Sequence, residues 1–129
     1  ELKKIVREWE NRRNSKDRAY ILQYLNLIEK RFGWTDYSMA MLIDKQPAAI
    51  MAGWEIPNSK DFYLSVMLHD YSKDRIGEVI YIKTLNHLKG MGFQSVELGG
   101  CDDALLSFKQ KFHPSRIYKT YEFSFVAKR

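Results

Sequence analysis

The spacing of apolar residues changes twice along the chain, and each change narrows the folds open to it. Leu2, Ile5, Val6 and Trp9, then Ile21, Tyr24, Leu25, Ile28 and Phe32, recur every third or fourth position, which predicts two amphipathic helices. Asn14 with Asp17 reads as the cap of the second helix, and Gly33 as its stop. From Tyr37 the period drops to two. Tyr37, Met39, Met41 and Ile43 alternate with Ser38, Ala40 and Leu42, the pattern of a strand with one strongly apolar face. Asp44-Lys45-Gln46-Pro47 predicts a turn, and residues 48–56 and 61–69 predict two further strands around Pro57-Asn58-Ser59-Lys60. Three such neighbours on short connections pair most economically as an antiparallel meander.

Helical spacing returns after His69 with Ile76, Val79, Ile80, Ile82, Leu85 and Leu88, and ends at Gly90-Met91-Gly92. Residues 95–98 predict a short strand, Ala104 to Phe112 a helix with Leu105, Phe108 and Phe112 inward, and Tyr118 to Val126 an aromatic closing strand. The order ααβββαβαβ is that of an α/β (α+β) fold, a mixed sheet flanked by helices. At 129 residues it is about one domain, able to bury a core without disulfides or metals. The chain opens on Glu1, not Met, so the expectation is a single domain over residues 1–129 forming the C-terminal half of a longer protein.

No apolar run approaches the roughly 18 residues that span a bilayer, and Glu-Leu-Lys-Lys is no signal sequence. The lone Cys101 excludes an internal disulfide framework and a multi-thiolate zinc site. It fits a reducing cytosol, so the expected location is cytoplasmic, including the cytoplasmic face of a membrane. His69, His87 and His113 are too scattered for a metal site, and none is expected. The formal charge of +5 favours polyanions only modestly. Lys3, Lys4, Arg7, Arg12, Arg13, Lys16 and Arg18 read first as a solvated helix face and second as a phosphate-binding stripe.

Where a meander passes into strand-helix-strand crossovers, ligands favour the crevice at the strands' carboxyl ends. The loop there is HDYSKDRIGE, residues 69–78. Ser72, Lys73 and Arg75 stand at a helix start that favours anions, and Gly77 lets backbone approach a phosphate closely. A meander, a phosphate-gripping helix start, a strand, a helix and a final strand over residues 37–126 resemble the GNAT superfamily. That family's loop reads Arg/Gln-x-x-Gly-x-Gly/Ala, and here Arg75-Ile76-Gly77 supplies Arg-x-Gly. Further on, LGGCDDALLSFKQKFHPSRIYKTYEF resembles the C-terminal domain of phosphatidylglycerol lysyltransferases and Fem-type aminoacyltransferases. Phe108-Lys109, Phe112-His113-Pro114 and Tyr118 or Tyr121 occupy the matching places.

The resemblance implies acyl transfer, in which an amine or hydroxyl attacks an activated carbonyl and charge builds on its oxygen. The donor it implies is aminoacyl-tRNA, with acetyl-CoA as the alternative and no tightly bound cofactor. The implied partners are tRNA, an anionic surface, and a second GNAT-like half or membrane domain. A non-catalytic GNAT-like interaction module is the third reading. By the same resemblance Lys109 stabilises the carbonyl or carrier phosphate, so Lys109→Ala is expected to abolish transfer and leave the melting temperature nearly unchanged. Ser72, Lys73, Arg75, Gly77 and Phe108 are the expected carrier-binding residues. Tyr118 or Tyr121 is a candidate for returning a proton to the leaving group, and His69, Glu55 and Glu97, at or near strand ends, are candidate bases. Cys101 reads as a small packed residue, Gly99-Gly100 as the opening of the strand end, and Asp102 or Asp103 as the cap of the next helix.

Overall fold

The computed structural model describes residues 1–12, 18–101, 103–121, 123 and 125. The elements are α1 (Leu2–Asn11), α2 (Arg18–Glu29), β1 (Tyr37–Ile43), β2 (Gln46–Glu55), β3 (Asp61–His69), α3 (Ile76–Gly90), β4 (Ser95–Glu97) and α4 (Asp103–Gln110). They fall into two compact units, Glu1–Glu97 and Leu98–Arg129. No helix among the described residues is long and apolar enough to cross a membrane.

In the first unit the sheet order is β1-β2-β3-β4. The predicted meander forms, with β1–β2 and β2–β3 antiparallel, and the crossover through α3 brings β4 parallel to β3. Asp44 and Lys45 both hold left-handed backbone, which lets a two-residue turn join β1 to β2. The second strand therefore starts at Gln46, earlier than the alternation indicates, and takes in Pro47 next to a register shift. Six consecutive residues of β2, Ala48 to Gly53, are buried. Ile50 and Ala52 pack with Ile5, Val6 and Trp9 of α1, Ile21 and Leu27 of α2, and Val66 and Leu68 of β3. Ala49 and Met51, on the opposite face by alternation, are buried as well. The helix α3 contacts β2, β3 and β4 and buries Ile80, Thr84 and Leu88.

Between Ala52 and Gly53 the register slips, since Ala52 faces Val66 and Gly53 faces Leu64, leaving Ser65 as the extra residue of a β-bulge. Phe62 is fully buried and meets Phe93 edge to face, the centroids 5.1 Å apart. A Cβ on Gly53 would sit 2.5 Å from Phe62 Cε1 and closer still to the Tyr63 carbonyl oxygen.

Two expectations change, and a third falls outside the described residues. The helix α2 ends at Glu29, and Arg31 and Phe32, not Gly33, hold the left-handed positions that turn the chain. Asn14 and Asp17 lie outside the described residues. The closing strand over residues 118–126 falls partly outside them too, and residues 118–121, 123 and 125 carry no strand. Alternation indicates which side chains could share a face, but a strand also needs a neighbour to bond.

Gly53→Ala is expected to destabilise the protein by about 2–3 kcal/mol, because the obstructing atom is backbone and cannot swing away. Urea unfolding measures this, and a change under about 0.5 kcal/mol would contradict the tight bulge.

Candidate functional site

At the carboxyl end of β3 the loop 70–75 leads into α3. Asp70 N–H donates to the Ala48 carbonyl at 2.8 Å, tying the loop to β2. The Asp70 carboxylate accepts hydrogen bonds from the Ser72 N–H at 2.9 Å and the Ser72 hydroxyl at 2.7 Å. These bonds, with lesser help from Lys73 and Lys4, hold its pKa below the usual value. Arg75 stands at the N-cap of α3 in left-handed backbone, φ 58° and ψ 9°, and no side chain caps the helix. The first N–H groups of a helix have no intrahelical acceptor, so this end offers donors and a positive dipole. Gly77 is buried in the first turn. Arg75 and Asp74 point into solvent, 3.6 Å apart.

Half-buried His69 stacks obliquely on Tyr71 at 4.2 Å, and the Arg12 guanidinium lies 5.4 Å from the Tyr71 ring centroid. Burial lowers the His69 pKa, with the Glu78 and Asp70 carboxylates opposing. The lowered pKa favours the neutral form of the imidazole.

The other candidates of this unit lie at the opposite end of the sheet. His69 pairs with Ala49 whereas Glu55 pairs with Phe62, so His69 and Glu55 are not brought together. Glu55 is exposed, its N–H donating to Asp36 Oδ2 at 2.9 Å. At this end β3 and β4 pair only over Asp61–Ser95, Phe62–Val96 and Tyr63–Glu97. Beyond Tyr63, β3 runs on to His69 with no strand partner on that side among the described residues. Trp54 and Tyr63 pair across β2 and β3 with ring centroids 5.2 Å apart, a contact absent from the sequence reading. Its only sequence signal was two aromatic residues in adjacent strands, and the bulge makes their register unreadable.

The second unit holds Phe108, Lys109 and Tyr118. Lys109 is 6% exposed, and its Nζ donates to the carbonyls of Leu98 at 2.5 Å and Gly99 at 3.0 Å. Gly99 holds φ 72°, a left-handed conformation that glycine adopts without strain. Lys109 is thus the buried residue of α4, with Leu105, Phe108 and Phe112 half-buried. The burial of Lys109 changes what is expected of Lys109→Ala: a loss of stability, because the substitution strips two carbonyls of their donor. Phe108 meets Phe112 edge to face at 5.4 Å, and the Lys111 ammonium lies 5.4 Å from the Phe108 ring. Tyr118 is 57% exposed, Cys101 is exposed, not packed, and Asp102 lies outside the described residues.

No protein-family model matches the sequence, and no curated protein matches it. Solved structures do. An aminoglycoside acetyltransferase from an uncultured soil metagenomic sample has 12% identity and a TM-score of 0.66, over 98% of this chain and 90% of that one. A second, solved with sisomicin, has 16% identity and a TM-score of 0.60 over 88% and 91% of the two chains. The PaiA N-acetyltransferase of Thermoplasma acidophilum, solved with coenzyme A, has 14% identity and a TM-score of 0.60 over 86% and 79%.

Two outcomes follow from the geometry. Lys109→Met keeps most of the side-chain volume but removes the donors, and is expected to cost about 1–3 kcal/mol in urea unfolding. A loss below about 0.5 kcal/mol would show the two hydrogen bonds to be dispensable. His69, whose folded pKa is depressed, stabilises the protein fully above its unfolded value of 6.5 and loses that contribution as pH falls toward the folded value. Wild type should therefore lose stability relative to His69→Gln as pH drops below about 6.5, and parallel pH profiles would refute this. At these low identities the likeness is one of fold: a mixed α/β sheet flanked by helices, as in the GNAT acetyltransferases.

Proposed function

We propose that this chain moves an acyl group from a pyrophosphate-bearing carrier, acetyl-CoA, to an amine, with the carrier lying along the open edge of β3. The observation that carries this reading is the joint between β3 and α3. With the left-handed residue taken as the register mark, Ser72 stands at the first position of the GNAT loop pattern, Arg75 at its glycine and Gly77 at its closing Gly/Ala. The Arg75-Ile76-Gly77 reading then shifts by three residues, and the final glycine is retained. The uncapped first turn of α3 and its dipole take the pyrophosphate, with Lys73 and Arg75 adding charge.

From that loop an extended carrier arm runs back along β3 toward Tyr63 and Glu97, where β4 departs. Main-chain groups of β3 facing away from β2 supply hydrogen bonds to the arm and to the carbonyl oxygen on which charge builds. Glu97, paired with Tyr63, takes the amine's proton through a water; as the amide C–N bond forms, the thioester C–S bond breaks and the carrier leaves as a thiolate that is protonated from solvent. His69 belongs to the phosphate end, and Lys109 acts on the Leu98–Gly99 turn of its own unit.

A second reading keeps aminoacyl-tRNA as donor, as the Fem-type resemblance implies. What favours it is the basic flank of the loop: the Lys4 charge reaches Asp70, and Arg12 lies over Tyr71. A longer polyanion would use both.

Thermal-shift titration and isotope transfer with acetyl-CoA and with lysyl- or alanyl-tRNA test the proposal. Acetyl-CoA is expected to raise the melting temperature saturably, by about 2.7 kcal/mol of stabilisation at a hundredfold excess over Kd, and to give labelled amine. Response to the charged tRNA alone would replace the carrier, and response to neither would leave the interaction module.

A further inference from the structure

Trp54, Tyr63 and Glu97 form one row across β2, β3 and β4, since Trp54 pairs with Tyr63 and Tyr63 with Glu97. Directly paired residues project from the same face of a sheet. On β2 that face also carries Ile50 and Ala52, which belong to the core with α1 and α2. The row continues this face beyond its last core residue. Trp54 is 39% exposed, Tyr63 and Glu97 are half-buried, and the two rings are tilted at 31°.

Three carboxylates stand next to the row. Asp36 directly precedes β1, Asp61 begins β3 and Glu97 ends β4, whereas Glu55, paired with Phe62, projects from the other face; Lys60 precedes β3, and Lys30 and Arg31 lie in the turn between α2 and β1, in a protein of net charge +5. Two of these carboxylates are held against the sheet: Asp36 by the Glu55 N–H at 2.9 Å, and Asp61 by the Ser95 hydroxyl at 2.6 Å. Their negative charge is fixed beside the aromatic pair. Aromatic faces in a negative local field attract organic cations and give nothing extra to a neutral group of the same shape.

We propose that the Trp54 and Tyr63 rings of this row bind an organic ammonium group, a second cationic centre of the acceptor separate from the amine that Glu97 deprotonates for acylation. The acceptor is then a di- or polyamine-type molecule, held by one ammonium on Trp54 and Tyr63 while another nitrogen meets the carrier. The assignment to the acceptor rests on the reading above that the acyl end of the carrier lies at Tyr63 and Glu97.

The test uses choline and its uncharged carbon isostere, 3,3-dimethyl-1-butanol, at matched ionic strength. The readout is the Trp54 indole N–H resonance, assigned with Trp54→Phe. Choline is expected to shift it saturably and the isostere to leave it in place. Tyr63→Leu should weaken choline binding about fivefold or more, and Tyr63→Phe, which keeps the ring, should stay within about twofold of wild type. An equal shift with the isostere, no saturable shift with choline, or unchanged affinity in Tyr63→Leu overturns the proposal, and the isostere comparison needs no variant to fold. Acetyl-CoA thermal shifts on the same preparations separate the two ideas. A choline response without an acetyl-CoA response overturns the acceptor role and the donor reading together, and the reverse overturns the ammonium site alone.

Discussion

The buried strand β2 sets the terms for the first unit. Its residues Ala48 to Gly53 expose neither face to water, so both faces must be covered, and their small side chains let the covering layers come close. The apolar stripes of α1 and α2 cover one face, and α3 contacts the same strand. The bulge at Ser65 is the necessary companion of this arrangement. It reverses the alternation of β3, so that Val66 and Leu68 share the core of α1 and α2 while Tyr63, not Phe62 or Leu64, stands beside Trp54 on that face. Only glycine at position 53 leaves room for the bulged partner.

One strand thereby gains two chemically different ends. At the carboxyl end of β3 the chain turns through Asp70 and Ser72 into a helix start rich in donors. At the amino end, six residues or about 20 Å away at strand rise, carboxylates and aromatic rings gather where β4 leaves β3. The pairing of β3 with β4 stops after three residues because β4 is no longer than that, and this short partnership leaves the edge between the two ends open. Phosphate-seeking and cation-seeking groups are thus kept apart on a rigid element, which suits a reaction between an anionic carrier and a basic acceptor.

In the second unit a charge is used for architecture. Lys109 spends its ammonium on two carbonyls of the Leu98–Gly99 turn, and Gly99 takes the left-handed conformation that the turn requires. Burying an ammonium is costly unless such acceptors surround it. A lysine beside phenylalanines reads as a solvated residue in any sequence, and its carbonyl partners ten and eleven residues earlier come into reach only when the turn closes.

The helices, the meander and the crossover are legible in the order of the residues, because periods of 3.6 and 2 are local and follow from which face must leave water. The loop 69–78 was legible as well, through its polar residues and glycine, whose conformational roles are local. The tertiary structure alone decided the bulge, the row formed by Trp54, Tyr63 and Glu97, the separation of His69 from Glu55, and the burial of Lys109. Each of these depends on register or on contacts between residues distant along the chain. A single-residue slip in pairing moves every later side chain to the other face, and nothing in the order of the residues announces where that slip occurs.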